Sequence, residues 1–66
     1  MSKFSERLKE ERKKAKLTQE DIAKQLGITR SAYTLYETEK TQPSIETATK
    51  LADILKVSLD YLVGRY

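Results

Sequence analysis

Cysteine and histidine are both absent from the 66 residues of this chain. Their absence excludes disulfides, thiolate nucleophiles, cysteine- and histidine-ligated zinc, and an imidazole general base. Two carboxylate pairs remain, Glu10 with Glu11 and Asp53 with Asp60, but the sequence places no metal ligand or base beside either pair. We therefore expect a protein that is not an enzyme, with no cofactor and no metal.

Long apolar runs are also missing, and the charged start of the chain leads into no apolar signal segment. This pattern predicts a cytoplasmic protein with no membrane partner. A chain of 66 residues has room for one domain, spanning 1–66, and for no sizeable pocket. No small-molecule ligand is therefore expected within it.

Positive charge is in modest excess, with 13 Lys and Arg against 10 Asp and Glu. The excess is local, because residues 1–16 hold seven cations and three acids, whereas residues 17–66 hold six and seven. Such a segment is either a solvated, salt-bridged helix surface or a patch that faces phosphate. The sequence alone leaves both readings open.

Only one proline and two glycines interrupt the chain, and the apolar spacing between them is helical throughout, which predicts an all-α fold of five helices. In the first helix, capped by Ser2, the predicted inward face carries Phe4, Leu8, Arg12 and Ala15.

The second and third predicted helices are short and meet at a tight turn. Thr18 and Asp21 form a capping-box pattern at the start of the second helix, and Gly27 suits a left-handed stop at its end. Thr29 is the predicted cap of the third helix. The apolar positions of these two helices are Ile22, Ala23, Leu26, Ala32, Tyr33 and Tyr36.

After a predicted loop at 38–43, Pro43 and Ser44 open a fourth helix that ends at Lys56 and Val57. Ser58 is the predicted cap of a short fifth helix, which stops at Gly64. The inward positions predicted for the fourth helix are Ile45, Ala48, Leu51, Ala52 and Leu55.

Two segments, LTQEDIAKQLGITRSAYTLYE at 17–37 and PSIETATKLADILKVSLDYL at 43–62, resemble the phage repressor and Cro-type family, also called the xenobiotic response element family. The resemblance covers nearly the whole chain. It implies a compact five-helix domain of the lambda-repressor-like type, with a helix-turn-helix at about 18–37 and the third helix in the DNA major groove.

The resemblance also implies a role for particular residues. Arg12 and Glu37 correspond to a partly buried salt bridge, and Gly27 to the turn. The base-reading positions correspond to Arg30, Ser31, Thr34 and Leu35, with Arg30 suited to guanine and Leu35 to a thymine methyl. The phosphate-binding positions correspond to Thr18, Gln19, Lys40 and Gln42.

One position departs from the family pattern, since Glu39 stands where glycine is frequent. Its Cβ is expected to resist a left-handed conformation and to change the loop locally. Its charge lies near the expected phosphate path and should weaken non-specific binding.

The function these features predict is sequence-specific binding of double-stranded DNA by a transcriptional regulator, foremost a repressor, acting as a homodimer on a pseudo-palindromic operator. Near the C-terminus, two roles are open and compatible: completion of the core by Leu59, Tyr61, Leu62 and Val63, and a two-fold interface formed by their exposed parts together with Val57. Tyr33 and Tyr36 are predicted to belong to the core, although aromatic side chains also stack on bases. A module that binds a toxin, antagonist or sensor protein remains the alternative function, with RNA binding as a third.

Overall fold

The computed structural model describes residues 4–64, and within that range the chain forms five α-helices and no strand. The predicted cap Ser2 lies outside the described residues. The helices are α1 (Phe4–Lys14), α2 (Gln19–Leu26), α3 (Arg30–Glu37), α4 (Ile45–Leu55) and α5 (Leu59–Val63). This arrangement confirms the predicted all-α class and the order of the helices.

Hydroxyl side chains cap the starts of four of these helices, as the sequence predicts. In each case the hydroxyl oxygen accepts a hydrogen bond from the backbone N–H three residues later. The four capping residues are Thr18, Thr29, Ser44 and Ser58. Such a cap satisfies one of the N–H groups that the first helical turn leaves without a partner. Each of these four helix starts therefore coincides with a local signal in the sequence.

One apolar cluster forms the core and draws on all five helices. Tyr33 of α3 is fully buried, so its predicted place in the core is confirmed, and Tyr36 packs against the cluster from its edge. The two rings meet edge to face, with centroids 6.2 Å apart. The buried members of the cluster are Leu8, Ile22, Ala23, Tyr33, Leu51, Ala52, Leu55 and Leu62.

Two predicted inward positions are wrong. Ala15 is exposed, because α1 ends at Lys14 and the chain then turns. Ile45, the first residue of α4, is 72% exposed and lines an open cleft with Phe4 and Val63 instead of being buried.

The apolar residues of the segment 57–63 differ in burial. Leu62 of α5 is fully buried, whereas Val57, Leu59 and Val63 are half-buried. Of these three, Val57 and Leu59 pack against the core. Completion of the core, one of the two roles left open by the sequence, is thus the role of Leu62.

Candidate nucleic-acid interface

The first turn of α2 is held by a reciprocal pair of hydrogen bonds. The Asp21 N–H donates to Thr18 Oγ1 over 3.0 Å, and the Thr18 N–H donates to Asp21 Oδ2 over 2.9 Å. That backbone hydrogen bond, together with the Thr18 hydroxyl, lowers the pKa of Asp21. The capping box predicted from the sequence is confirmed, and it fixes the position at which α2 begins.

Gly27 ends α2 in the left-handed region, at φ 74°. A Cβ built at this glycine would meet no atom within 4 Å, so the backbone conformation, and not crowding, is what favours glycine here. Ile28 N–H then donates to Ala23 O over 3.0 Å, and Thr29 caps α3. The two helices of the motif are therefore joined with only two residues between the glycine and Arg30.

Four side chains predicted to read bases lie on the outer face of α3. Arg30 and Ser31 are exposed at the start of the helix, Thr34 is half-buried, and Leu35 is 38% exposed. On the opposite face Tyr33 is fully buried. The helix thus presents a mixed polar and apolar strip outward while its inner face is held by the core.

Glu37, the last residue of α3, is the centre of a buried polar network. Its side chain is 1% exposed and accepts from Arg12 Nε over 2.6 Å, from the Tyr33 hydroxyl over 2.5 Å and from Gln19 Nε2 over 3.0 Å. Arg12 also donates to the carbonyl oxygen of Leu17 over 2.9 Å. The Arg12–Glu37 salt bridge that the family resemblance implies is present and ties α1 to the end of α3.

Electrostatics keep this carboxylate ionised. Burial acts to raise the pKa of Glu37, but the hydrogen bonds from Arg12, Tyr33 and Gln19 outweigh burial and lower it. The hydrogen bond to Glu37 raises the pKa of Arg12. Burial, and then the same carboxylate, raise the pKa of the Tyr33 hydroxyl, which therefore stays a donor.

Gln19 connects this network to the outer face of α3. While Nε2 donates to Glu37, Oε1 accepts from the Thr34 hydroxyl over 2.8 Å and from Arg30 Nη1 over 3.5 Å. Thr18 and Gln19, both predicted to bind phosphate, thus have side chains engaged within the protein, Thr18 as a helix cap and Gln19 as a bridge.

The loop after α3 turns through Glu39, whose φ is 64°. The expectation that its Cβ would keep this residue out of the left-handed region is wrong. Ser5, itself buried, donates its hydroxyl to Glu39 Oε2 over 2.9 Å, and this contact helps offset the conformational cost. Lys40 and Gln42, predicted to hold phosphate, are exposed in the same loop.

Cations and acids share the outer surface of α1. One shallow cleft of about 290 Å³ is lined by Glu6, Arg7, Lys9, Glu10 and Lys13. Nζ of Lys14 lies 3.5 Å from Oε2 of Glu11. This arrangement favours the solvated, salt-bridged interpretation of the basic N-terminal segment. Within residues 4–64 no group of three or more acidic, cysteine or histidine side chains is placed to hold a metal, and no helix has the length and apolar character to cross a membrane.

Three contacts of the site were not predicted from the sequence: the Tyr33 hydroxyl on Glu37, the bridging role of Gln19, and the hydrogen bond from Ser5 to Glu39. The first had a signal, because residues four apart on a helix lie on the same face. The others join elements distant in the chain and carry no local pattern.

The five-helix order and the turn between α2 and α3 define the chain as a helix-turn-helix domain of the lambda-repressor-like fold. A family model described as Helix-turn-helix matches residues 8–62, and the chain belongs to that family. The solved structure of the P22 c2 repressor protein in complex with a synthetic operator superimposes with a TM-score of 0.90, covers 100% of both chains and is 30% identical.

Proteins similar to this chain in sequence include transcriptional regulators of bacteria and phages. The chain is 53% identical over 60 residues to YqaE, an uncharacterized HTH-type transcriptional regulator of Bacillus subtilis, and covers 52% of that protein. It is 39% identical over 64 residues to RstR, a cryptic phage CTXphi transcriptional repressor of Vibrio cholerae, and covers 57% of it. These matches take in 91% and 97% of the present chain. The chain thus spans little more than half the length of these relatives.

Proposed function

We propose that this domain binds double-stranded DNA sequence-specifically, with α3 in the major groove, as the reading part of a cytoplasmic transcriptional regulator that binds its operator and represses by occluding a promoter. The observation that carries the proposal is the outward strip of α3, held on a rigid core. Support comes from the similarity to a repressor whose structure was solved on operator DNA. A helix fits the major groove, and side chains at its start reach base edges.

In this proposal each outward residue of α3 has a chemical role. Arg30 donates to guanine O6 and N7, which a guanidinium matches in a bidentate manner. Ser31 contacts a neighbouring base edge, Thr34 lies one turn further along, and Leu35 packs on a thymine methyl. The 38% exposure of Leu35 in an otherwise polar strip is what supports the apolar contact.

Phosphate binding falls on either side of α3 in this proposal. Thr18 and Gln19 stand at the N-terminus of α2, whose first N–H groups and dipole favour an anion. Lys40 and Gln42, exposed in the loop before α4, bind the DNA backbone on the other side of α3. Lys40 supplies the positive charge for this contact.

We propose a homodimer on DNA, because each domain presents a single reading helix and so recognises one half-site. Two-fold related half-sites then lie about one helical turn, roughly 34–36 Å, apart. The extents of the domain, 30 × 23 × 20 Å, allow two copies at that spacing to approach each other without overlap.

The experiment is selection of bound duplexes from a randomised pool by the purified chain at near-physiological salt, followed by sequencing. The expected result is an enriched inverted repeat with half-sites about 10 base pairs apart. A pool that stays random, although the protein is folded, would contradict sequence-specific binding.

A module that binds another protein is the second candidate, favoured by two apolar side chains at the surface, Leu35 at 38% and Ile45 at 72% exposure. Apolar exposure of this kind marks contact surfaces when it is contiguous. Failure of enrichment in the selection would favour this function over the first.

A further inference from the structure

Glu39 lies in the loop 38–44, between α3 and α4, beside the exposed Lys40, and its side chain is bound to α1. We propose that Glu39 is a positioning residue for phosphate binding: its carboxylate, held by the Ser5 hydroxyl, fixes the position of Lys40 relative to α3. The inference rests on the proposed function, because it concerns the loop that would meet the DNA backbone.

The backbone of this loop is attached to α3 at one point. The carbonyl oxygen of Leu35 accepts from the Lys40 N–H over 3.0 Å and from the Thr41 N–H over 3.3 Å. These two hydrogen bonds set the distance between Lys40 and the reading helix. Because both end on the same oxygen atom, they leave the loop free to pivot about it, and a second point of attachment is needed to fix its direction.

The contact between Ser5 and Glu39 supplies the second point of attachment. Ser5 is 4% exposed in the first turn of α1 and donates its hydroxyl to Glu39 Oε2 over 2.9 Å. The helix α1 is itself bonded to the end of α3 through Arg12 and Glu37. The loop is thus held by α3 on one side and by a helix joined to α3 on the other, with Lys40 next to both attachments.

Close packing does not hold the loop against α1 at this point. A cleft of about 190 Å³ opens there, lined by Phe4, Ser5, Tyr36, Glu39, Thr41 and Gln42. Glu39 is exposed, so water competes for its hydrogen bond. Loss of the contact should therefore loosen the loop without unfolding the domain.

The charge of Glu39 and its hydrogen bond have opposite expected effects on DNA binding. The charge repels phosphate and lowers the affinity for every sequence. The hydrogen bond orders the loop in advance, so that Lys40 has less conformational freedom to lose on binding. A substitution that removes only the charge should strengthen binding, and one that also removes the acceptor should give back part of that gain.

The test compares Glu39→Gln with Glu39→Ala. Both variants lack the charge and keep a Cβ at this left-handed position, but only Glu39→Gln keeps a side-chain oxygen that can accept from Ser5. Affinity is measured for the selected operator and for a scrambled duplex, at a salt concentration at which both bind. We expect Glu39→Ala to bind each duplex about threefold less tightly than Glu39→Gln, the effect of one weak net hydrogen bond.

Lys40→Ala supplies a readout that a general loss of stability would not change. If Glu39 acts by holding Lys40, the difference between Glu39→Gln and Glu39→Ala should disappear in chains that also carry Lys40→Ala. A difference of the same size with and without Lys40 would show that the hydrogen bond acts elsewhere, and would overturn the inference.

Ser5→Ala removes the same contact from the side of α1. It should weaken the binding of the unaltered chain to both duplexes about threefold, and cause no further loss in Glu39→Ala. Thermal unfolding checks that each variant is folded, and Ser5→Ala carries the test if Glu39→Ala is not.

The remaining outcomes separate the inference from the function on which it rests. Equal affinities of Glu39→Gln and Glu39→Ala would overturn the inference. A difference between them on the operator alone would also overturn it, because Glu39 would then act on base reading. Failure of the unaltered chain to bind either duplex would overturn the proposed function, and the positioning role with it.

Discussion

At the scale of single residues, the site depends on Glu37, a charge that the fold buries and then surrounds with donors. Ionised carboxylates are costly to bury, and a buried ion pair stabilises little relative to apolar residues of the same size. Loss of one partner is different, because the other charge is then stranded. The value of the pair lies in geometry: it joins α1 to the end of α3 and supplies the acceptor that orients Gln19.

Arg12→Met should lower the free energy of unfolding by about 3 kcal/mol, because it leaves the buried Glu37 carboxylate without its cation. Lys13→Met is the matched control, since Lys13 is exposed on the same helix, and it should change stability by less than about 0.5 kcal/mol. Urea unfolding followed by circular dichroism measures both. Equal stability of the two variants would contradict the structural role given to Arg12.

The lowered pKa of Glu37 predicts the direction of the pH dependence. A carboxyl group whose pKa is lower in the folded than in the unfolded chain stabilises the fold above its unfolded pKa, about 4.3, and this contribution is lost as the pH falls through the folded pKa. The free energy of unfolding should thus decrease on acidification below about pH 4.3.

The same urea titrations on Glu37→Gln should give a shallower decrease with acid, because that variant has no carboxyl at this position to protonate. Asp21, whose pKa is also lowered, is present in both proteins and so does not account for a difference between them. Identical acid slopes for the variant and the unaltered chain would exclude Glu37 as a source of the pH dependence.

At the scale of helices, the starts could be predicted from the sequence and the ends only in part. A Ser or Thr cap is a local signal, and all four predicted caps that lie within residues 4–64 are present. Gly27 and Gly64 mark ends in the same local way. Lys16, Glu39 and Lys56 adopt positive φ although they are not glycine, so residue type gives no signal for a turn at these three positions.

Lys56 offers a direct measure of that conformational cost. It ends α4 at φ 59°, and Lys56→Gly should raise the free energy of unfolding by about 0.5–1 kcal/mol by relieving the left-handed strain. Lys50→Gly, an exposed position inside the same helix, should lower it by about 0.8–1 kcal/mol. Thermal unfolding measures the stability of the two variants. If Lys56→Gly is also less stable than the unaltered chain, the left-handed turn at Lys56 carries no strain that glycine relieves.

Helical periodicity also predicts which face of a helix is apolar without showing how far its neighbours extend. Ile45 obeys the spacing of α4 and is nevertheless 72% exposed. The outward residues of α3 could be predicted from the motif, because the inward residues of the same helix are fixed by the core. The bridge through Gln19 could not, because it depends on the relative placement of α1, α2 and α3.

At the scale of the whole molecule, the buried network and the core together join the helices into one packed unit that presents α3. The core takes residues from every helix, and the polar network joins the first three. A reading surface on such a scaffold loses little conformational freedom on binding. Discrimination between sequences is accordingly expected to depend on the outward side chains, and general affinity on the flanking loop.

The most direct test of sequence reading compares Arg30→Ala with Lys40→Ala on the selected operator and on a scrambled duplex, across a range of salt concentrations. Arg30→Ala should cost about 1–3 kcal/mol on the operator while sparing binding to the scrambled duplex. Lys40→Ala should weaken binding to both duplexes similarly. It should also reduce, by about one unit, the slope of the logarithm of the binding constant against the logarithm of the salt concentration. Equal losses on both duplexes for Arg30→Ala, with discrimination unchanged, would contradict the account.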